Sequence, residues 1–153
     1  MSPIRNKEEL EGFFHTAGKP RQQWRVGTEY EKVGIERRSA KAILYSGPRG
    51  VETILRALVE EYNWQPQEEE GHVIALIRGN AQITLEPGGQ IELSGEPCES
   101  IHCSRAEFTQ HIRELLEVAE RLDVVFLGLG IQPVSSLGEI EWVPKRRYRI
   151  RPR

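Results

Sequence analysis

Long hydrophobic runs are missing from this chain. The longest apolar stretch, residues 124–131, is strand-sized and interrupted by glycines. A bilayer-spanning helix takes about 20 apolar residues, so none is expected. Cysteine is scarce: Cys98 and Cys103, five positions apart, are the only two. That count argues against a disulfide framework, and a zinc site would need two further ligands that the spacing does not suggest. Charge of one sign is not in excess either. With 21 basic and 23 acidic residues the formal net charge is −2, so the chain as a whole lacks the signature of nucleic-acid or membrane binding. Only residues 145–153 are strongly basic. Neither an apolar signal core nor an Arg/Ser-rich transit segment follows Met1, which makes the cytoplasm the expected location. What is present suits one soluble domain with its own core: 153 residues, 38% hydrophobic and 29% charged.

Periodicity orders the elements. Residues 4–17 read as a short amphipathic helix with Leu10, Phe13, Phe14 and Ala17 on one side, stopped by Gly18, Lys19 and Pro20. Residues 24–35 (WRVGTEYEKVGI) alternate as a strand, which sends Gly27, Glu29, Glu31 and Val33 to one face. Val51, Ile54, Leu55, Leu58, Val59 and Tyr62 follow the i, i+3, i+4, i+7 rule of a helix that Asn63 ends. Residues 72–78 and 82–86 are β-branched and separated by Gly79-Asn80, a hairpin pattern, and residues 90–93 supply the next strand. A long helix is expected over residues 100–122, packing one side on the sheet, and residues 124–131 return as a buried strand. Pro133, Gly138 and Pro144 mark the loops that follow. The order α-β-α-β-β-β-α-β with tight connections predicts an α+β domain on a largely antiparallel sheet.

The densest chemistry lies in residues 83–95, ITLEPGGQIELSG. Pro87 fixes its own φ and donates nothing to a ladder, while Gly88 and Gly89 tolerate positive φ, so the segment bends between two strands and brings Glu86 near Glu92. With Glu29 and Glu31 on one strand face, four carboxylates become candidates for a cation site. Hard oxygen donors in that number suit Mg²⁺ or Mn²⁺, and Mg²⁺ prefers a few carboxylates together with water and phosphate oxygens, which points to a nucleotide-dependent reaction. The competing account of a Glu-x-Glu pair is a solvated strand face. His72, His102 and His111 have no partnered spacing and read as structural or surface residues. Trp24, Trp64 and Trp142 read as packing residues, and Gly128 and Gly130 lack the rest of a dinucleotide fingerprint.

The combination of GTEYEK at 27–32, ITLEPGGQIELSG at 83–95, ESIH at 99–102, FLGLGIQP at 126–133 and VPKRRY at 143–148 resembles the plant and proteobacterial type of glutamate–cysteine ligase, or γ-glutamylcysteine synthetase. The resemblance runs from Ile4 over nearly the whole chain and matches the N-terminal part of that family. It implies a glutamine-synthetase-like fold, an antiparallel sheet lined by metal-binding glutamates and backed by helices. It also implies an ATP-dependent ligation of L-glutamate to L-cysteine through a γ-glutamyl phosphate, the first step of glutathione synthesis. Carried onto this chain by motif match, the metal ligands for Mg²⁺ or Mn²⁺ are Glu29, Glu31, Glu86 and Glu92; Gln90, on the strand face of Glu92, is a candidate to hydrogen-bond substrate or orient a ligand, and Arg147 is a candidate to bind a carboxylate or phosphate, the competing account being a solvated basic tail. No residue is assigned a covalent catalytic role.

Two departures qualify the resemblance. Arg105 stands where plant members carry a redox-active cysteine, and Arg146 replaces a glycine before Arg147, which alters the local turn. Family members are longer, so residues 1–153 are expected to form a single partial catalytic domain, an N-terminal fragment inactive alone and associating with a C-terminal portion. The alternative is a non-catalytic remnant or a half-enzyme binding module. A third reading, a regulatory domain that binds nucleic acid through its basic end, has no support before Lys145.

Overall fold

The structure is a computed structural model that describes residues 3–149. The last four residues of the basic end lie outside the described residues. The elements are α1 (Lys7–Ala17), β1 (Glu29–Glu36), α2 (Val51–Tyr62), β2 (Gln65–Glu69), β3 (His72–Arg78), β4 (Ala81–Leu85), β5 (Ile91–Ser94), α3 (Ile101–Arg121) and β6 (Val124–Leu127). Short 3₁₀ turns occupy Arg21–Gln23, Leu137–Glu139 and Arg146–Arg149. Every strand pairing is antiparallel, in the order β2-β3-β4-β5-β1-β6. The α+β architecture is therefore as expected. β1 divides its pairing: Glu29 to Lys32 face β5, and Val33 to Glu36 face β6.

One side of this sheet is the core. Val51, Ile54, Leu55 and Leu58 of α2 are fully buried against Val73, Leu76, Ile83 and Leu85, and Leu115, Val118 and Ala119 of α3 complete the cluster. Each leucine so buried contributes about 1.5–3 kcal/mol, which is what fixes both helices to the sheet. Asn63 ends α2 in the left-handed region at φ 59°, a conformation asparagine tolerates because its side chain hydrogen-bonds locally. Ser100 and Leu122 bracket α3, as the periodicity predicts.

Five details differ from the sequence reading. β2 (QPQEE) is an additional strand, without β-branched residues; it sits at the sheet edge, where Pro66 is tolerated because one side of the strand needs no ladder partner. β1 begins at Glu29 rather than Trp24, since residues 24–28 contribute only the isolated Val26–Cys98 bridge. β6 stops at Leu127, only Val124 in it being fully buried. Residues 128–131 are exposed. Trp64 is buried, but Trp24 and Trp142 are 65% and 61% exposed and do not pack. Finally, Cys98 and Cys103 are joined by a disulfide, with Cα atoms 5.7 Å apart. The first turn of α3 carries Cys103 back over the segment that enters the helix, a proximity that linear spacing does not reveal.

α1 is the outlying element. Asn6 caps it by accepting a hydrogen bond from the Glu9 N–H. None of its residues is buried, and Leu10, Phe13 and Phe14 are exposed. Its amphipathic period gives the helix, yet its apolar side has no cover among the described residues.

Candidate active site

Opposite the helices, the sheet presents a polar side. Strand alternation sends Glu29 and Glu31 of β1 to it, and Glu31 lies directly across from Glu92 of β5, while Glu29 lies across from Ser94. On the other flank of β5, Glu92 faces Thr84. Its Oε1 accepts hydrogen bonds from the Thr84 and Ser94 hydroxyls at 3.1 and 3.0 Å. These two hydroxyls hold the Glu92 carboxylate in the sheet surface.

Glu86 arrives through the expected bend. The Gly89 N–H donates to the Glu86 carbonyl at 2.9 Å and the Glu86 N–H to the Gln90 carbonyl at 3.1 Å. Gly89 adopts φ 80°, which a side chain would resist. The turn sets Glu86 on the same side as Glu31 and Glu92. Burial, then the charges of Glu86 and Glu92, raise the Glu31 carboxyl above the ordinary carboxylate range. Glu31 is thus the centre of a like-charged patch, the setting that a cation relieves. Glu29 shares this side but sits at its exposed end.

A groove of about 330 Å³ runs over the patch, lined by Glu69, Thr84, Glu86, Glu92, Lys145 and Arg147. Arg147 is exposed, its guanidinium 4.8 Å from the Tyr148 ring centroid and donating to the Tyr148 hydroxyl at 2.7 Å. Among the described residues it makes no ion pair, so its fork is available to a ligand. Its neighbours are not a loose tail: the Arg146 N–H donates to Glu69 at 2.8 Å, and Arg149 pairs with Glu70. Lys145 carries no sequence signal of its own. It is buried, donates to the Leu85 carbonyl at 2.7 Å, and has its pKa lowered by burial and by Arg147 against the pull of Glu86. The motif VPKRRY contained it, but nothing in residue type alone separates a buried lysine from a surface one.

Gln90 borders both the patch and a larger cavity of about 620 Å³, whose walls include Val33, Ile43, Pro87, Ile131 and Trp142. Its Nε2 lies 3.5 Å from the Gly130 carbonyl, and its Oε1 is buried without a partner. A Cβ built on Gly130 would be 3.5 Å from Glu31 Oε2, so cavity and carboxylates adjoin. His72, His102 and His111 stand apart from this site: His72 faces Glu52, His102 lies at the start of α3, and His111 is buried on the helix side.

Among the described residues no three His, Cys, Asp or Glu side chains converge closely enough to cage a metal ion. The donors present are hard carboxylate oxygens on an open surface. That set fits a Mg²⁺ held by one or two carboxylates and completed by water and phosphate oxygens, not an all-protein cage.

Residues 25–153, which hold every group just described, match the family model for glutamate–cysteine ligase family 2. The chain belongs to that family. Over 150 residues it is 41% identical to glutamate–cysteine ligase A, chloroplastic, of Oryza sativa subsp. japonica, a match covering 98% of this chain and 30% of the rice protein. It is 38% identical over 144 residues to the chloroplastic glutamate–cysteine ligase of Solanum lycopersicum, covering 94% and 27%. The Arabidopsis thaliana counterpart is 35% identical over 144 residues, with the same coverage. The chain thus spans less than a third of the length of these curated relatives. In this glutamate–cysteine ligase family 2 chain no helix among the described residues is long and apolar enough to cross a membrane.

Proposed function

We propose that residues 1–153 are part of the catalytic domain of an ATP-dependent glutamate–cysteine ligase and contribute its carboxylate face. The observation that carries the proposal is the direct opposition of Glu31 and Glu92 across β1 and β5, with Glu86 close enough to raise the Glu31 pKa. All of it lies inside the family-matched segment. Glu29, Glu31, Glu86 and Glu92 are the carboxylates from which one or two would hold each Mg²⁺ or Mn²⁺ ion. Such an ion supplies charge neutralisation for a transferring phosphoryl group. Gln90 orients the substrate from the shared wall of patch and cavity. Arg147, whose guanidinium makes no ion pair among the described residues, takes phosphate oxygens of ATP.

In the proposed reaction the γ-carboxylate of L-glutamate attacks the γ-phosphorus of ATP, giving γ-glutamyl phosphate and ADP. The amine of L-cysteine then attacks the acyl carbon and phosphate leaves, giving γ-glutamylcysteine. This chemistry needs positioning and charge neutralisation more than a covalent catalyst, and the patch offers both. The apolar cavity beside Gln90 suits the uncharged side chain of the acceptor amino acid. The cytoplasm is the proposed location, with neither nucleic acid nor membrane proposed as partner. A further C-terminal portion of the ligase is the proposed protein partner.

The lack of three convergent ligands among the described residues favours a second reading, a half-site that binds but closes only with further polypeptide. Both are tested by grafting residues 25–149 into the corresponding segment of the rice ligase and measuring γ-glutamylcysteine formation. The ligase reading expects an active graft that loses at least about 100-fold activity on Glu31→Gln or Glu92→Gln, the scale of a lost transition-state charge contact. Full activity in the double variant would sink it, and an inactive graft that still binds Mn²⁺ would support the second reading.

A further inference from the structure

We propose that a second small-molecule site lies on the helix-bearing side of the sheet and takes a free α-amino acid as its zwitterion. The proposal does not rest on the ligase reading. A cavity of about 410 Å³ opens between β3–β5 and α3, with Trp64, Arg78, Leu93, Glu96, Glu107 and His111 in its walls. That volume falls in the range of small-ligand pockets. Leu93 alternates with Glu92 along β5, so this cavity and the carboxylate patch are on opposite sides of the sheet.

Its polar groups are unevenly satisfied. Arg78 is engaged through one nitrogen: its Nη1 donates to both oxygens of Glu114 and to the Tyr62 carbonyl, and the guanidinium lies 4.1 Å over the Trp64 ring. His111 is 1% exposed, and neither ring nitrogen has a hydrogen-bond partner. One helical turn earlier, Glu107 accepts the Glu96 N–H through Oε1 at 2.9 Å, while its Oε2 is buried without a donor. The Thr28 hydroxyl is likewise buried and unpartnered. Both oxygens flank Gly95, where a Cβ would fall 2.3 Å from Glu107 Oε2 and 3.1 Å from Thr28 Oγ1. A side chain at residue 95 would collide with that carboxylate, so glycine is what lets Glu107 lie there. Buried polar groups are almost always paired, so the unpaired His111 ring and Glu107 oxygen in the wall of one cavity, with the Thr28 hydroxyl beside Gly95, mark a demand for a ligand.

The layout states which ligand. At one end a carboxylate and a hydroxyl oxygen call for a donor group with several hydrogens, as an ammonium has. At the other, a neutral imidazole offers one N–H in the positive field of Lys32 and Arg78, which favours a carboxylate. Residues 107 and 111 are i, i+4 neighbours on α3, about 5–6 Å apart at Cβ, a span that the two charged ends of an α-amino acid bridge. An amine alone or a carboxylate alone meets only half of the demand.

The test is calorimetric titration of the 153-residue chain with L-alanine, methylammonium and acetate, without metal or nucleotide. L-Alanine is expected to bind at least about tenfold more tightly than either half-ligand. Glu107→Gln and, separately, Thr28→Val should each weaken it by about tenfold, the scale of a lost hydrogen bond to a charged group. Glu92→Gln should leave L-alanine binding unchanged. No binding, or binding indifferent to both Glu107→Gln and Thr28→Val, overturns the proposal. Loss in Glu92→Gln also overturns it, by moving the amino acid to the carboxylate side. Should Glu107→Gln fail to fold, Thr28→Val, at a half-buried residue, gives the same reading.

Discussion

His111 makes this protein acid-labile in a narrow and calculable window. Burial, and secondarily the charges of Lys32 and Arg78, pull its imidazole down to about 3 in the folded state. In the unfolded chain it returns to about 6.5. Between these values the unfolded chain binds a proton that the folded chain refuses, so stability is full above about 6.5 and falls as pH drops. At pH 5 the gap is about 1.5 pH units, or about 2 kcal/mol at about 1.36 kcal/mol per unit. That is a large share of the ~5–15 kcal/mol by which small domains are stable. Glu31 acts in the opposite sense: its raised pKa means that the folded state takes up a proton sooner, which adds stability as pH enters the carboxylate range. The informative interval therefore ends near pH 5. Urea unfolding at pH 7, 6 and 5 should show the wild type losing about 2 kcal/mol and His111→Gln losing little. Equal losses in both proteins, or a wild type indifferent to pH, would refute the reasoning.

Glu31→Gln removes the centre of the like-charged patch, so metal-free stability should rise, by no more than about 0.5 kcal/mol because the group is partly exposed and screened. The same variant should lose the shift in melting temperature that MnCl₂ gives the wild type, and a retained shift would remove Glu31 from the ligand set. Gly50→Ala would set a Cβ 2.3 Å from the Ser46 carbonyl oxygen and 2.6 Å from that of Tyr45, both backbone atoms; thermal unfolding should report a loss of about 1–3 kcal/mol. Cys103→Ser opens the short loop to Cys98, and loop-closure arithmetic puts the cost at about 2 kcal/mol. Chemical unfolding with and without reductant should show that only the wild type responds to it.

Much of the fold was legible because its signals are local. The periods of α2 and α3 declare which residues meet the sheet, and the Glu86-Pro87-Gly88-Gly89 bend declares a hairpin. β2 was not legible: an edge strand pairs on one side only, so QPQEE needs neither alternation nor β-branching. The exposure of Trp24 and Trp142 is illegible for the converse reason, since aromatic character signals burial without saying what is there to cover it. At the candidate site, strand alternation brought out Glu29 and Glu31, and the bend brought out Glu86 and Glu92. It took the pairing of β1 with β5 to show that Glu31 and Glu92 are opposite neighbours while Glu29 meets only Ser94. Lys145 and the cavity around His111 depend on contacts between distant segments, which no window along the chain contains.

The divided pairing of β1 bears on fidelity of assembly. A strand with alternating Glu29, Tyr30, Glu31 and Lys32 is acutely sensitive to slippage: a shift of one residue would bring the ammonium of Lys32 to the position of the Glu31 carboxylate and thrust the glutamates into the helix-covered side. Because β5 holds the first half of β1 and β6 the second, a slip must break two independent ladders at once. The two neighbours thereby fix the register of β1 together, and with it the side of the sheet on which the glutamates stand.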